Sequence, residues 1–256
     1  MTDDATARLL DRFLAGLDAF APLALWAHGS LAGGDYQEGR SDLDLIAVLP
    51  DPVPLATVRR LVRLHHRLRE DQPLARRLHC GYPTPATLAG AERSYVTWAH
   101  DRLLRRPVTP VTRRELHAFG RVLHGERPEG LLPPVPDQEL RAFVVRDQKE
   151  FWRPAVDKAR LWKQDVWVDL GTITFARATV TLREGRLVSK REALELLPGL
   201  GAPAEVVEDV RRRRYDDSVP APPARGWTAR RAELTRSYLG PAIDGLVAAY
   251  EPRTRA

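Results

Sequence analysis

Two aspartates in an apolar run have the spacing of a metal site. Asp42 and Asp44 stand two residues apart in the segment SDLDLIAVL, residues 41–49. Successive side chains of a β-strand point to opposite faces, so both carboxylates would lie on one face. Such carboxylates repel each other unless a cation lies between them. Magnesium suits this position, because it prefers oxygen ligands and leaves room for phosphate oxygens.

A Gly-Ser pair about a dozen residues earlier would complete a phosphate site. Gly29 allows the backbone to approach a phosphate closely, and Ser30, at the start of the next helix, offers a hydroxyl and a backbone N–H. A D-x-D pair alone is common, and by itself it more often marks a polar strand end. Its combination with Gly-Ser, a short spacer and a buried strand favours metal and phosphate binding.

Hydrophobic spacing predicts the elements that position these residues. The first half of the chain is predicted to contain helices and strands in alternation: helices over 3–20, 55–70 and 112–124, and strands over 23–27, 43–49 and 77–82. The proline-rich segment 125–137 indicates a domain boundary. The second half is predicted to be helical, over 138–163, 167–183, 189–197, 203–215 and 226–250, with a proline-rich break at 219–224.

We therefore predict an α+β fold with two domains. Residues 1–126 would form a small mixed sheet flanked by helices, and residues 127–256 a helical bundle. Ser189 and Glu192 have the spacing of a capping box, so a helix is expected to begin at Ser189.

Composition limits the classes of function. Lys and Arg number 40 against 34 Asp and Glu, a net charge of +6. The arginines are scattered among acids, so nucleic-acid binding is not expected. No apolar run reaches the roughly 18 residues of a membrane span, and the N-terminus does not resemble a signal peptide. We expect a cytoplasmic monomer or dimer. The single cysteine, Cys80, excludes an internal disulfide and a cysteine-based zinc site.

The segment LWAHGSLAGGDYQEGRSDLDLIAVL, residues 25–49, resembles the G-S … D-x-D signature of the polymerase-beta-like nucleotidyltransferases. The wider pattern is similar to the aminoglycoside 3''-adenylyltransferase group, which modifies streptomycin and spectinomycin. Three further stretches carry this similarity: VLHGERPEGLLPPVPDQEL (122–140), EFWRP (150–154) and ARATVTLREGRLVSKREALELLP (176–198).

The resemblance implies an antibiotic-resistance type of activity. Magnesium-dependent transfer of a nucleoside monophosphate, AMP from ATP, would modify a hydroxyl of an aminoglycoside-like molecule in the cleft between the domains. It also implies roles for individual residues: Asp42 and Asp44 as metal ligands, Gly29, Ser30 and Ser41 at the triphosphate, Lys190 and Tyr215 at a phosphate, Trp152 in the acceptor pocket, and Asp165 and Asp169 near the drug-binding acid.

The chain departs from the family at the catalytic base. The family's third strand usually supplies a third carboxylate, but the best alignment places Arg77 at its position, and no acid lies between Asp71 and Glu92. His79, two residues after Arg77 on the same strand face, is the first alternative base. His100 and Glu92 are others.

Three functions therefore compete. The first is the adenylyltransferase described above, whose proton transfer could also be left to the metal-bound hydroxyl. The second is a catalytically weak nucleotide-binding protein of the same fold that acts as a sensor or partner protein, which the absent carboxylate motivates. The third, motivated only by the positive charge, is a transferase that modifies nucleic acid.

Overall fold

The computed structural model describes residues 4–89, 93–216 and 225–251. It divides the chain into two compact units, Met1–Val135 and Pro136–Ala256. Glu92 and the predicted break at 219–224 lie outside the described residues.

The N-terminal unit combines a six-stranded sheet with helices. Its helices are α1 (Asp4–Leu17), α2 (Gly29–Ala32), α3 (Leu55–Asp71), α4 (Pro85–Leu88), α5 (Pro110–Phe119) and α6 (Pro128–Leu131). Its strands are β1 (Ala24–Ala27), β2 (Leu43–Val48), β3 (Leu78–Tyr82), β4 (Tyr95–Ala99), β5 (Arg102–Arg106) and β6 (Arg121–Gly125). The strand order is β5-β4-β3-β2-β1-β6, with β2 and β3 parallel and the other neighbours antiparallel. The predicted mixed sheet is confirmed.

The alternation of side chains along β2 gives the sheet two different faces. Leu43, Leu45 and Ala47 pack with the apolar residues of α1 and α3 in the larger core cluster. Ile46 and Val48 belong to a smaller cluster on the opposite face, with Trp26. Asp44 alternates with the leucines, so it projects on the less densely covered face.

Two parts of the sheet differ from the prediction. The predicted helix over 112–124 ends at Phe119, since Gly120 has an extended ψ of 132° and its N–H donates the last helical hydrogen bond to the Leu116 carbonyl. Val122 instead pairs with Trp26 in the ladder between β6 and β1. The hairpin of β4 and β5 was not predicted, since the sequence RLLRR of β5 is charged and largely exposed at the sheet edge.

The segment between the two units packs on the first one. The Trp26 indole donates to the Glu126 carbonyl, and Leu132 is buried in the smaller cluster. Arg113 donates to the carbonyls of Pro133 and Pro134. These contacts explain why the proline-rich segment belongs to the first compact unit as far as Val135. The functional domain boundary at residues 126 and 127 stays a prediction.

The C-terminal unit consists of helices. They are α7 (Asp137–Asp147), α8 (Arg153–Val156), α9 (Asp165–Glu184), α10 (Lys190–Leu196), α11 (Ala204–Tyr215) and α12 (Trp227–Tyr250). A π-helical turn, Gln148–Trp152, joins α7 to α8. The chain then leaves the helix after Val156, so the single helix predicted over 138–163 is wrong. Ser189 caps α10 as predicted, accepting a hydrogen bond from the Glu192 N–H. None of the helices among the described residues combines the length and the apolar character that crossing a membrane requires.

His65, on α3, is buried next to the larger core cluster. Its ring stacks on Trp98 at 4.8 Å between centroids, and its Nε2 lies 2.6 Å from the Tyr82 hydroxyl. Burial, with smaller contributions from His66 and His79, lowers the pKa of His65 from 6.5 to about 3. The imidazole is therefore neutral in the folded protein at neutral pH.

This histidine should make the fold sensitive to acid. In the unfolded chain His65 becomes protonated below pH 6.5, whereas in the folded protein it becomes protonated only near pH 3. The free energy of unfolding should thus fall as the pH falls through this window, by up to about 1.4 kcal/mol per pH unit from this group. Urea titrations at several pH values should show a weaker dependence for His65→Gln. The exposed neighbour variant, His66→Gln, should keep the wild-type dependence, and equal slopes for all three proteins would contradict this account.

Candidate active site of the N-terminal unit

Asp42 and Asp44 lie at the start of β2 with their carboxylates partly exposed. Leu43 and Leu45, on either side of Asp44, are buried. The Asp42 and Asp44 side chains are 38% and 35% exposed, which leaves their oxygens accessible to a ligand. Because the burial of Leu43 and Leu45 fixes the strand, both carboxylates are held at the same end of β2.

A tight backbone loop faces Asp44. Gly29 has a φ of +62°, and a Cβ added there would lie only 2.9 Å from the Asp44 Oδ2 atom. The His28 N–H also donates to the Asp44 carbonyl oxygen at 3.0 Å. Glycine is therefore required both by the backbone conformation and by the close approach of the carboxylate. Ser30 follows in the four-residue helix α2, as the sequence predicted.

The donor set fits magnesium and a phosphate. Among the described residues, no group of three His, Cys, Asp or Glu side chains could hold a metal ion. Magnesium does not need such a cage, since it is commonly bound through one or two carboxylates together with substrate phosphates and water. Asp42 and Asp44 supply two carboxylates, and Gly29 has no side chain that would press on the Asp44 carboxylate.

Ser41 has a structural contact in the turn before β2. Its hydroxyl accepts a hydrogen bond from the Gln37 N–H, and its own N–H donates to the Gln37 carbonyl. The residue is 5% exposed. The structure thus shows Ser41 fixing the turn that delivers Asp42, and its contact with a triphosphate stays a prediction.

The residues beside the two aspartates on β3 are a cation and a histidine. Arg77, directly before β3, approaches Asp42 at 3.4 Å, and His79 is in register with Asp44, with 3.6 Å between Nδ1 and Oδ1. The ring of His79 meets that of His100 edge to face at 4.5 Å. The alignment placed Arg77 at the position of the usual acid. In the structure His79 is the β3 residue that lies across from Asp44.

A buried pair under the Gly-Ser loop was missed by the sequence analysis. His28 Nδ1 lies 3.4 Å from the Glu115 Oε2 atom of α5, and the Glu115 side chain is only 7% exposed. Burial lowers the pKa of His28, but the hydrogen bond with Glu115 and the charges of Asp44 and Glu115 together raise it above its ordinary value. The pair joins α5 to the loop that precedes Gly29. The only signal in the sequence was a glutamate within the apolar face of a predicted helix.

Five residues of the C-terminal unit were assigned roles by resemblance, and three of them are expected at a phosphate or in the acceptor pocket. Lys190 begins α10, and Tyr215 ends α11 with the Arg191 guanidinium 4.1 Å above its ring. Trp152 is 8% exposed and packs edge to face with Phe151 and Trp167. Their contacts with a nucleotide or an acceptor stay predictions.

The two acids predicted near the acceptor are held by arginines. Asp169 pairs with Arg213, which also binds Asp209, and Asp165 pairs with Arg231, which binds Asp209 as well. Burial raises the pKa of Asp169 in spite of the nearby Arg213. The network links α9, α11 and α12, so both carboxylates already have cationic partners, and their role in binding an acceptor stays a prediction.

Comparison with known proteins identifies the type of domain in the N-terminal unit. Residues 10–121, which include β1, β2 and β3, match the family model described as nucleotidyltransferase domain. No curated protein sequence matches the chain. The resemblance to the polymerase-beta-like nucleotidyltransferases is confirmed.

A solved structure has the same fold over nearly the whole chain. It is the crystal structure of spectinomycin adenyltransferase AAD(9) from Enterococcus faecialis with ATP and spectinomycin. The match covers 93% of this chain and 99% of that one, with a TM-score of 0.72 and 14% identity. At this identity the similarity shows the fold, which confirms the predicted α+β architecture with a C-terminal helical region.

The close approach at Gly29 can be tested against a second glycine. Gly29 and Gly34 both have positive φ, but a Cβ at Gly34 would meet nothing within 4 Å. Gly34→Ala should cost only the roughly 1–2 kcal/mol of the left-handed conformation. Gly29→Ala should lower the free energy of unfolding further and turn the Asp44 carboxylate away, as urea denaturation and a crystal structure of the variant would show. Equal losses with an unmoved carboxylate would contradict the proposed constraint.

Proposed function

We propose that this protein transfers a nucleoside monophosphate, AMP from ATP, to a hydroxyl of a small molecule. The observation that carries the proposal is the placement of Asp42 and Asp44 beside the Gly29 loop, with His79 in register with Asp44. The family match and the fold similarity support nucleotide transfer as the reaction class. The protein of similar structure was crystallised with ATP and spectinomycin, which supports ATP as donor and a small-molecule acceptor.

Each site residue of the N-terminal unit has its own role in the proposed reaction. Asp42 and Asp44 would hold magnesium, which supplies neutralisation of the charge on the triphosphate. The backbone of Gly29 and the hydroxyl and N–H of Ser30 orient the phosphates at the start of α2. Ser41 keeps the turn before β2 in place. His79 accepts the proton of the acceptor hydroxyl, in place of the family's usual carboxylate.

Residues of the C-terminal unit complete the proposal. Lys190 and Tyr215 bind phosphate oxygens, the lysine as a point charge. Trp152 contributes an apolar surface to the acceptor site, and Asp165 and Asp169 lie near it. We place the reaction in the cytoplasm, where ATP is present, and propose resistance to an aminoglycoside-like compound as its biological role.

A second function is a nucleotide sensor of the same fold. The observation that favours it is the composition of β3, where Arg77 and His79, not a carboxylate, lie beside the two aspartates. A positioned base is typically worth about 10²–10⁴ in rate. A protein that binds ATP with magnesium but releases no pyrophosphate with any acceptor would be this sensor.

The metal ligands can be tested by binding alone. Asp42→Asn and Asp44→Asn should each abolish magnesium-dependent binding of ATP in isothermal titration calorimetry, because a carboxylate ligand is replaced by a weaker amide. Asp71→Asn is the matched control, since Asp71 pairs with Arg12 away from the site. ATP affinity that is equal in all four proteins would remove the metal assignment.

The role of His79 can be tested by turnover. His79→Ala should lower kcat for pyrophosphate release by about 10²–10⁴-fold and leave the dissociation constant of ATP nearly unchanged. His100→Ala is the control, because its ring touches His79 without lying in register with Asp44. The same loss in His100→Ala, with His79→Ala active, would transfer the role to His100.

A further inference from the structure

The two aspartates of the candidate site are held by different parts of the N-terminal unit. Asp44 lies within β2, where it is in register with His79 of β3 and its carbonyl accepts a hydrogen bond from the His28 N–H. Asp42 comes directly before β2, at the end of the loop that follows α2. The strand pairing therefore fixes Asp44, whereas the position of Asp42 depends also on the conformation of that loop.

The loop, residues 33–42, contains a tight turn that closes on itself. The Gln37 carbonyl accepts hydrogen bonds from the N–H groups of Arg40 and Ser41, at 3.1 and 2.8 Å. The Ser41 hydroxyl in turn accepts a hydrogen bond from the Gln37 N–H at 3.1 Å. Because these bonds make residues 37–41 a compact turn, a contact that fixes the turn also fixes Asp42, which is the next residue.

Two glycines make this loop costly to order. Gly34 and Gly39 have φ of +74° and +76°, and a Cβ at either position would meet nothing within 4 Å. Both residues are exposed. Glycine loses more conformational freedom on folding than any other residue, so a loop with two such positions needs attachment to the rest of the fold.

Glu38, within the turn, attaches it to α1. The Glu38 Oε2 atom accepts hydrogen bonds from the Thr6 N–H at 3.0 Å and from the Thr6 hydroxyl at 2.6 Å. Thr6 is fully buried, and its hydroxyl also lies 3.0 Å from the Tyr36 hydroxyl. Thr6 is the third residue of α1, so its N–H is one of those that a helix cannot pair internally, and this end of a helix attracts a carboxylate.

The distance along the chain gives this contact a consequence beyond α1. Helix N-termini are usually capped by a side chain next to the helix. Here the carboxylate comes from 32 residues further along the chain, within the loop that leads to Asp42. The same two hydrogen bonds therefore stabilise the first turn of α1 and hold the Gln37–Ser41 turn against it.

We propose that Glu38 is a positioning residue for the magnesium ligand Asp42. It acts through the turn: α1 holds Glu38, the turn holds Ser41, and Asp42 follows. The inference rests on the proposed function for the metal. Magnesium demands near-ideal octahedral geometry at about 2.0–2.1 Å, so a loosened turn weakens metal binding although the Asp42 carboxylate is still present. Groups that orient metal ligands typically contribute about 10–100-fold in metal affinity.

Hydrogen exchange tests the attachment without metal or nucleotide. Glu38→Ala removes the acceptor of both Thr6 hydrogen bonds, so the amides of Arg40 and Ser41 should exchange at least about tenfold faster relative to the amides of β2. Glu38→Gln keeps an oxygen acceptor and should lie closer to wild type. Leu10→Ala is the matched control, because it removes buried packing of α1 and neither Thr6 hydrogen bond. It should lower the unfolding temperature without changing this ratio. An unchanged ratio in Glu38→Ala overturns the proposal.

Calorimetry tests the consequence for the metal. The magnesium concentration that gives half-maximal ATP binding should rise about 10–100-fold in Glu38→Ala. It should rise less in the milder variant Thr6→Val, which removes only the hydroxyl donor. Glu38→Gln should recover most of the wild-type affinity, and Leu10→Ala should keep the wild-type value.

The outcomes separate this proposal from the proposed function. A glutamate that only stabilises α1 would give Glu38→Ala a lower unfolding temperature and the same magnesium dependence as Leu10→Ala, and that result overturns the positioning role alone. Absence of magnesium-dependent ATP binding in the wild type would instead refute the proposed function, and the role of Asp42 with it.

Discussion

The repulsion between Asp42 and Asp44 is the constraint around which the N-terminal unit is arranged. The fold holds them in place by burying Leu43 and Leu45 on the other face of β2. The side chains around the carboxylates are an arginine and two histidines: Arg77 beside Asp42, His79 beside Asp44, and His28 under the loop. Partly exposed ion pairs contribute little to stability, about 0–1 kcal/mol each. In the proposed function their effect is electrostatic, since the Arg77 charge would lower the negative potential that an approaching triphosphate meets.

The sequence was sufficient to predict the part of the fold that local patterns encode. The strands β1, β2 and β3 and the long helices have clear hydrophobic periodicity, and the Gly-Ser and D-x-D motifs have chemistry that depends on short spacing. The hairpin of β4 and β5 lacked such a pattern, because an edge strand of sequence RLLRR resembles a solvated segment. The change from helix to strand at Gly120 depends on pairing with Trp26, almost a hundred residues away, and no local window contains that information.

For the candidate site, too, the sequence indicated some of the residues and missed the contacts that only the fold creates. His28 was within the motif that drew attention, but its partner Glu115 lies on α5, 87 residues further along the chain, and only the fold brings them together. Asp165 and Asp169 show the reverse case. The resemblance predicts that they lie near an acceptor, which stays a prediction, and the structure adds that they pair with Arg231 and Arg213 in a network of three helices. Long-range ion pairs of this kind cannot be inferred from spacing along the chain.

The two halves of the site are subject to different physical requirements. In the proposed function, any nucleoside triphosphate presents the same phosphates, so the half that contains Asp42, Asp44 and the Gly29 loop has little freedom to vary. The acceptor half has to match only the charge and the hydroxyls of one molecule. On β3, Arg77 and His79 lie beside the two aspartates, where the resembled family usually supplies a third carboxylate. In the proposed function, the departure from that family therefore concerns the group that removes the acceptor's proton, whereas the residues proposed for the metal and the triphosphate are all present.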